Sequence, residues 1–387
     1  MRVLEAISDT NIGGAGILLV TRLKHWNHSE FQVAVILPRG SALKKRLTDI
    51  GVEVFEIDGC RDRSWEWRAI PQYVRIFKQW KPDLIHCHGC LTCRVAAMLW
   101  GIPIRLYTRH CAYPIPPWQR SAVGKALVGT IQELLSHRII AVAEAAKENL
   151  VEMGVREKKI AVIINGVEGL PEQSLEERSR MRKALEIPQD ATVIGICARL
   201  EPCKGHMDFL RAAEHLMGRS DRYYFLIVGD GSLSDTLRRY CRQKKLDERV
   251  RFTGFAEDVS PYFNIMNLNV NCSVGTETSS LALSEGMSLG LPAVVSDYGG
   301  NPYMVRDGEN GLVYPVGRAE LLADAIHRLI QDSALYDAMS QKAYERFRTE
   351  LNAKQMAERT QDLYRKLYVE RNPSKSENGI GNTKINQ

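Results

Sequence analysis

Two doubly wound, Rossmann-like α/β domains facing a central cleft are the fold class this sequence predicts, and three observations predict it. Short β-branched runs alternate with longer stretches of 3.6-residue apolar periodicity. The alternation breaks once near the middle and then restarts. At 387 residues, 44% apolar and 25% charged, the chain is long enough for two domains and has neither a disordered nor a collagen-like composition.

In the first half, Arg2 to Ile7, Phe31 to Leu37, Val52 to Ile57, Asp83 to Cys87, Ile104 to Thr108, Arg138 to Val142 and Ile160 to Ile163 read as buried strands. Between them, Ile17, Val20 and Leu23 mark one amphipathic helix, and Ile70, Val74, Phe77 and Trp80 another. Such alternation indicates a parallel sheet covered by helices. Glu168 to Asp190 is dominated by Glu, Arg, Gln, Ser and Pro without a strand-like run, so residues 169–190 are expected to be a linker between domains 1–168 and 191–350. The strands resume at Thr192 to Cys197, Tyr223 to Val228, Val250 to Thr253, Leu268 to Asn271 and Pro292 to Ser296. From about Arg318 the pattern is helical; residues 351–369 are expected to form a helix that packs back on the first domain, and 370–387 a disordered tail.

No apolar run approaches the roughly 18 to 20 residues of a membrane helix. The start of the chain lacks the apolar core of a secretory signal, and nine cysteines are an odd number. A cytoplasmic chain in a reducing compartment is expected. The net charge of +6 is compatible with nucleic acid, an anionic membrane or a phosphorylated substrate. It is concentrated in residues 1–130, where 18 Lys and Arg stand against 10 Asp and Glu. Arg39, Lys44, Lys45 and Arg46 there form a basic segment suited to peripheral contact with the inner face of the membrane, or simply to solvent. No basic helix or aromatic RNA signature supports nucleic acid.

Open α/β sheets bind ligands at the carboxyl ends of their strands, so the loops there carry the chemistry. After the first strand, Gly13 and Gly14 precede a helix. They would let backbone approach a ligand and leave N–H groups for an anion, although a tight structural turn reads equally well and the G-x-G-x-x-G order is absent. In the second half Arg199 and Lys204 flank a Pro-containing loop at a strand end. Such a pair neutralises a diphosphate without a metal, Arg by bidentate contact and Lys as a point charge; two solvated cations are the alternative. Farther on, Glu277 stands in a loop, a helix begins over Ser279 and Ser280, and Glu285 lies a turn or two inside it. The N–H groups of Leu281, Ala282 and Leu283 would face a phosphate, Glu285 ribose hydroxyls and Glu277 a sugar. The alternative is a surface loop with a Ser cap and capping-box Glu.

Taken with Asp83-Leu84-Ile85-His86-Cys87-His88-Gly89, Thr108-Arg109-His110, Asn165-Gly166-Val167 and Val228-Gly229-Asp230-Gly231, these residues make the chain, over roughly 1–345, resemble the GT-B retaining glycosyltransferases of family 4 (group 1). The resemblance implies that Arg199 and Lys204 hold a donor pyrophosphate, Glu285 the ribose and Glu277 the transferred sugar. It places His110 beside that sugar, making His110 and Glu277 the catalytic pair. The Gly13–Gly14 loop would approach from the opposite domain, and Gly229, Asp230, Gly254 and Phe255 would surround the base. Ala198 replaces the usual glycine, and Thr278, Ser279 and Ser280 replace bulkier residues, which bears on the donor's identity.

The implied reaction is transfer of a sugar from a nucleoside diphosphate to a hydroxyl of a glycan or lipid-linked acceptor with retention, as in bacterial surface-glycan synthesis. It would need no metal or cofactor, consistent with the absence of Asp-X-Asp. A non-catalytic sugar-nucleotide-binding protein and a nucleotide-sugar epimerase are the rival readings. The run of Cys87, Cys90 and Cys93 lacks the fourth cysteine and proline of a ferredoxin cluster and reads as core thiols. Trp118, after Tyr113-Pro114-Ile115-Pro116-Pro117, would line the acceptor side.

Overall fold

The computed structural model describes residues 1–372. The first sheet contains β1 (Arg2–Ile7), β2 (Gln32–Pro38), β3 (Glu53–Ile57), β4 (Leu84–His88), β5 (Ile104–Arg109), β6 (Arg138–Ala141) and β7 (Ile160–Val162). The second contains β8 (Thr192–Cys197), β9 (Tyr223–Val228), β10 (Val250–Gly254), β11 (Leu268–Asn271), β12 (Ala293–Ser296) and β13 (Gly311–Tyr314). Their orders are β3-β2-β1-β4-β5-β6-β7 and β10-β9-β8-β11-β12-β13. β1 pairs in parallel with both β2 and β4, and β8 with both β9 and β11. Strand order therefore reverses beside β1 and beside β8, and each reversal opens a crevice where the flanking loops turn opposite ways.

The near-continuous apolar strands pack between helical layers. Leu18, Leu19, Val20 and Leu23 of the helix Gly14–Lys24 are buried against Val3, Ile7, Val33 and Val35. Phe209, Leu210, Ala213 and Leu216 of the helix His206–Met217 do the same for the second sheet. Each such leucine contributes about 1.5–3 kcal/mol relative to exposure.

Two departures from the sequence expectations stand out. Residues 169–190 are not a bare linker: they contain the helix Leu175–Ala184, opened by a Ser174/Glu177 capping box and tied to the second domain by Arg182, which donates to the Ile265 carbonyl at 3.1 Å. That helix buries no residue, so it carries none of the apolar period that marks a helix in a sequence. The strand β13 is also unmarked in the sequence, being four residues that open on Gly311 and stop at Pro315.

The actual crossing runs through Gly166 to Glu168, beside a second pass of chain at Leu351 to Ala353. Val167 N donates to Leu351 O and Ala353 N to Val167 O, both at 2.9 Å. A Cβ on Gly166 would sit 2.2 Å from the Asn352 carbonyl oxygen, so the Asn165-Gly166-Val167 motif needs glycine for the two passes to touch. After a π turn (Phe347–Leu351), the last helix, Ala353–Arg371, returns to the first domain and buries Met356, Tyr364 and Leu367 in its core. Residues 370 and 371 thus end this helix, and the rest of the expected disordered tail, from 373, lies outside the described residues. Among the described residues no helix is long and apolar enough to cross a membrane.

Candidate active site

In the second domain, β11 delivers Asn271 and then Ser273 to the loop that holds Glu277. This carboxylate is buried, and its Oε2 accepts from Lys204 Nζ at 2.8 Å, Ser273 Oγ at 2.7 Å and Asn271 Nδ2 at 3.3 Å. Burial alone would raise its pKa; Lys204 and the hydroxyl and amide donors outweigh that and hold it below the usual carboxylate range. The loop is strained. Thr276, β-branched, sits at φ 46°, a left-handed conformation that costs of order 1–3 kcal/mol. Gly299 and Gly300 clamp it from β12: a Cβ on Gly300 would lie 1.7 Å from the Thr278 carbonyl, and Gly300 N donates to Glu277 O at 3.1 Å.

Glu285 lies on the helix Leu281–Ser288, beside the Cys197 end of β8, and its carboxylate has no hydrogen-bond partner among the described residues. Burial pushes its pKa up to about 7. Ser280 caps this helix by accepting from Leu283 N at 3.4 Å, so the open N–H groups are those of Leu281 and Ala282. The alternative of a capping-box glutamate does not arise, because the third helical residue is Leu283. Arg199 is exposed and forms no ion pair among the described residues, whereas its expected companion Lys204 is committed to Glu277.

Gly229 and Gly231, at φ 138° and 159°, pass so close to the backbone of Ala198 and Leu200 that a Cβ would meet their carbonyl oxygens at 2.1 and 2.7 Å. Asp230 Oδ1 accepts from Gly231 N at 2.8 Å. Gly254, at φ 74°, leads into Phe255, which is 81% exposed.

From the first domain, Gly13 caps the helix Gly14–Lys24 with backbone alone, and a Cβ on Gly14 would meet nothing within 4 Å. His110 ends the strand β5 turn, and its Nε2 lies 3.0 Å from His88 Nδ1. Burial, with His88 and Arg22 nearby, holds its pKa well below that of free imidazole. Two residues on, Ala112 N donates to Thr278 Oγ1 of the second domain at 3.1 Å, which sets the His110 loop against the Glu277 loop. Tyr303 OH to Glu148 Oε1 at 2.5 Å and Arg46 to Glu257 at 3.5 Å also cross the cleft.

Cys60, Cys87, Cys90 and Cys93 are buried with Tyr73 and Phe77 in apolar packing. Glu5, His86 and His88 place candidate ligand atoms within 4.8 Å of one another, but Arg22 and Tyr364 already occupy them. The basic segment is neutralised in place: Arg39 pairs with Asp58, Lys44 with Glu56, Lys45 with Asp49 and Arg46 with Glu257. Trp118 stands 56% exposed.

Residues 12–168 match the model of "Glycosyltransferase Family 4", and residues 177–346 that of "Glycosyl transferases group 1". The chain belongs to the group 1, family 4 glycosyltransferases. This glycosyltransferase is 26% identical over 357 residues, 88% of its length and 91% of the relative's, to the UDP-Gal:alpha-D-GlcNAc-diphosphoundecaprenol alpha-1,3-galactosyltransferase of Escherichia coli. It is 30% identical over 164 residues, 42% of its length and 47% of the relative's, to the lipopolysaccharide core biosynthesis glycosyltransferase LpsE of Rhizobium meliloti (strain 1021). Its fold is GT-B: HepE of Anabaena, solved in complex with UDP, superposes with a TM-score of 0.81 at 20% identity, over 95% of this chain and 100% of that one.

Several residues of the glycosyltransferase's crevices escape sequence reasoning. Gly299 and Gly300 carry a visible signal, a Gly-Gly pair after a strand. So does Glu5, a carboxylate inside the apolar strand β1. Tyr364, 359 residues from Glu5, carries none.

Proposed function

We propose that this glycosyltransferase takes its sugar from a nucleoside-diphosphate donor and passes it, with retention at the anomeric carbon, to a hydroxyl of a lipid-linked or surface-glycan acceptor, without a metal or other cofactor. The observation that carries the reading is the unsatisfied polarity of the second crevice. Arg199 is an exposed cation without an ion pair, and Glu285 a half-buried carboxylate without a donor, among the described residues. A diphosphate supplies the anion and a ribose supplies the donors. The UDP-Gal named for the Escherichia coli relative and the UDP in the Anabaena structure support this donor class, and the relative's diphosphoundecaprenol acceptor supports a lipid-linked one.

As the bond from the anomeric carbon to the phosphate oxygen breaks, positive charge grows on the sugar ring and negative charge on the diphosphate. Arg199, Lys204 and the N–H groups of Leu281 and Ala282 stabilise the leaving anion. Glu277, kept ionised by Lys204, accepts from sugar hydroxyls, and His110 meets the same sugar from across the cleft. The leaving phosphate takes the acceptor hydroxyl's proton while that oxygen bonds to the same face of the ring, which gives retention. Gly229, Asp230 and Gly254 frame the base, Phe255 offers an exposed ring for it to stack on, and Gly13 and Gly14 admit the phosphates or the acceptor. Peripheral membrane contact belongs to the same proposal. The α-helix Ala122–Leu135 exposes Val123, Leu127, Ile131 and Leu134 on one face, an apolar surface the paired cations of residues 39–46 do not provide.

A screen of UDP- and GDP-sugars with purified protein, reading nucleoside-diphosphate release with and without EDTA, tests the reading. Release from one donor class, unchanged by EDTA, is expected. Loss of all turnover in EDTA refutes the metal-free mechanism, and normal release by Arg199→Ala refutes the pyrophosphate assignment.

A further inference from the structure

The first crevice contains a row of polar groups that ends on His110, and the reaction above uses none of the row behind that histidine. Glu5 is fully buried in β1 and receives Arg22 from the first helix on Oε2. The same oxygen lies 2.9 Å from His88 Nε2; His88 Nδ1 lies 3.0 Å from His110 Nε2. His110 Nδ1, at the end of the row, is shielded from solvent and has no hydrogen-bond partner among the described residues.

Each hydrogen in this row is decided by the group before it. Burial opposes ionisation of Glu5, but Arg22 and His88 outweigh it and keep it a carboxylate, which can only accept. His88 Nε2 therefore carries a hydrogen. Burial holds His88 neutral, since Arg22 already balances the one charge of Glu5 and a second cation would stand uncompensated. His88 Nδ1 is then a bare lone pair, so His110 must donate to it from Nε2. His110 is neutral as well, which leaves its Nδ1 bare. That nitrogen belongs to the loop whose Ala112 touches Thr278, next to Glu277.

We propose that Glu5 and His88 are positioning residues: through the row Glu5–His88–His110 they hold the His110 imidazole in the one tautomer whose Nδ1 is an acceptor, so that it takes a hydrogen bond from a sugar hydroxyl and cannot give one. The kinetic part of this inference rests on His110 meeting the donor sugar; the tautomer itself does not. A wrong tautomer at an otherwise intact site is known to cost orders of magnitude in rate.

Nitrogen-15 spectra of histidine-labelled protein, with His110 assigned through His110→Gln, read the tautomer without any substrate. A bare Nδ1 and a protonated Nε2 on His110 are expected between about pH 6 and 8; a hydrogen on Nδ1 overturns the proposal. His88→Phe removes both bonds at similar volume and is expected to mix the His110 tautomers and lower kcat about 10- to 100-fold, with donor KM nearly unchanged. His88→Asn keeps an acceptor toward His110 and recovers part of that loss. Normal kcat in His88→Phe, or a rise in KM alone, overturns the positioning role. If His88→Phe does not fold, the wild-type spectrum and His88→Asn still decide. The expected tautomer in a protein inactive with every nucleotide sugar refutes the proposed donor and leaves the tautomer lock standing.

Discussion

Glu5 and Glu285 are carboxylates beside a point where strand order reverses, one in each domain, the first fully buried and the second half-buried, and their surroundings differ. Glu5 has Arg22 and His88 on one oxygen and Tyr364 within 3.4 Å of the other, and its pKa is lowered. Glu285 has no donor among the described residues, and burial raises its pKa to about 7. The first domain satisfies its buried charge internally and gains fixed geometry from it. The second leaves charge unsatisfied, at a cost in stability, where a ligand can complete it. A self-satisfied cluster reads as scaffold and an unsatisfied one as a binding site, and the two respond differently to substitution.

The largest effect is expected from Arg22→Leu, which strands the Glu5 carboxylate and should cost about 3–5 kcal/mol in urea unfolding. Adding Glu5→Gln should return most of it, and a loss below about 1 kcal/mol would break the comparison from the first-domain side. Arg199→Ala comes next: nucleotide release should fall on the order of 10²–10³-fold, while unfolding free energy stays within about 0.5 kcal/mol because the side chain is exposed. A stability loss matching the activity loss would make Arg199 scaffold after all.

Glu285→Gln sharpens the comparison by moving the two properties in opposite directions. With a folded pKa of about 7 against 4.5 for the free group, the wild-type contribution to stability is intact below pH 4.5 and is lost as the pH rises through 7. The variant should therefore be about 2–3 kcal/mol more stable than wild type at pH 8 and equal to it near pH 4, while binding donor more weakly. Equal stability at both pH values would show that Glu285 is solvated. The smallest effect concerns pH alone: ribose hydroxyls favour the ionised carboxylate, so donor KM in the wild type should fall about 10-fold between pH 6 and 8, and Glu285→Gln should flatten that profile.

The strand-end loops of the second domain were legible because their charges stand where a short apolar run stops. Arg199, Lys204, Glu277 and Glu285 all follow strands, and the parallel sheets themselves are written in continuous apolar runs. What the residues do not disclose is which charges neutralise each other. Lys204 reads as a partner for Arg199 alone, yet it also binds Glu277; the cations at 39–46 read as a patch, yet Lys45 pairs with Asp49 one turn along its helix and the other three with carboxylates brought in by folding. The helix Leu175–Ala184 was hidden because a helix anchored by Arg182 and a capping box needs no apolar stripe. Glu5 was legible only as an interruption of β1, since its partners arrive from three distant elements.

The return of the last helix to the first domain also sets an order of events during synthesis. Tyr364 completes the polar cluster around Glu5 and, with Trp26 and Phe31, the aromatic packing behind it, across 359 residues of chain. While the ribosome is still making the second domain, the first has neither this hydroxyl nor the burial supplied by Met356 and Leu367. The domain translated first is thus the last to be finished, and the second domain, whose strands all lie between residues 192 and 314, can close before it. A chain cut short before Ala353 would carry an intact second domain and a first domain with its floor missing.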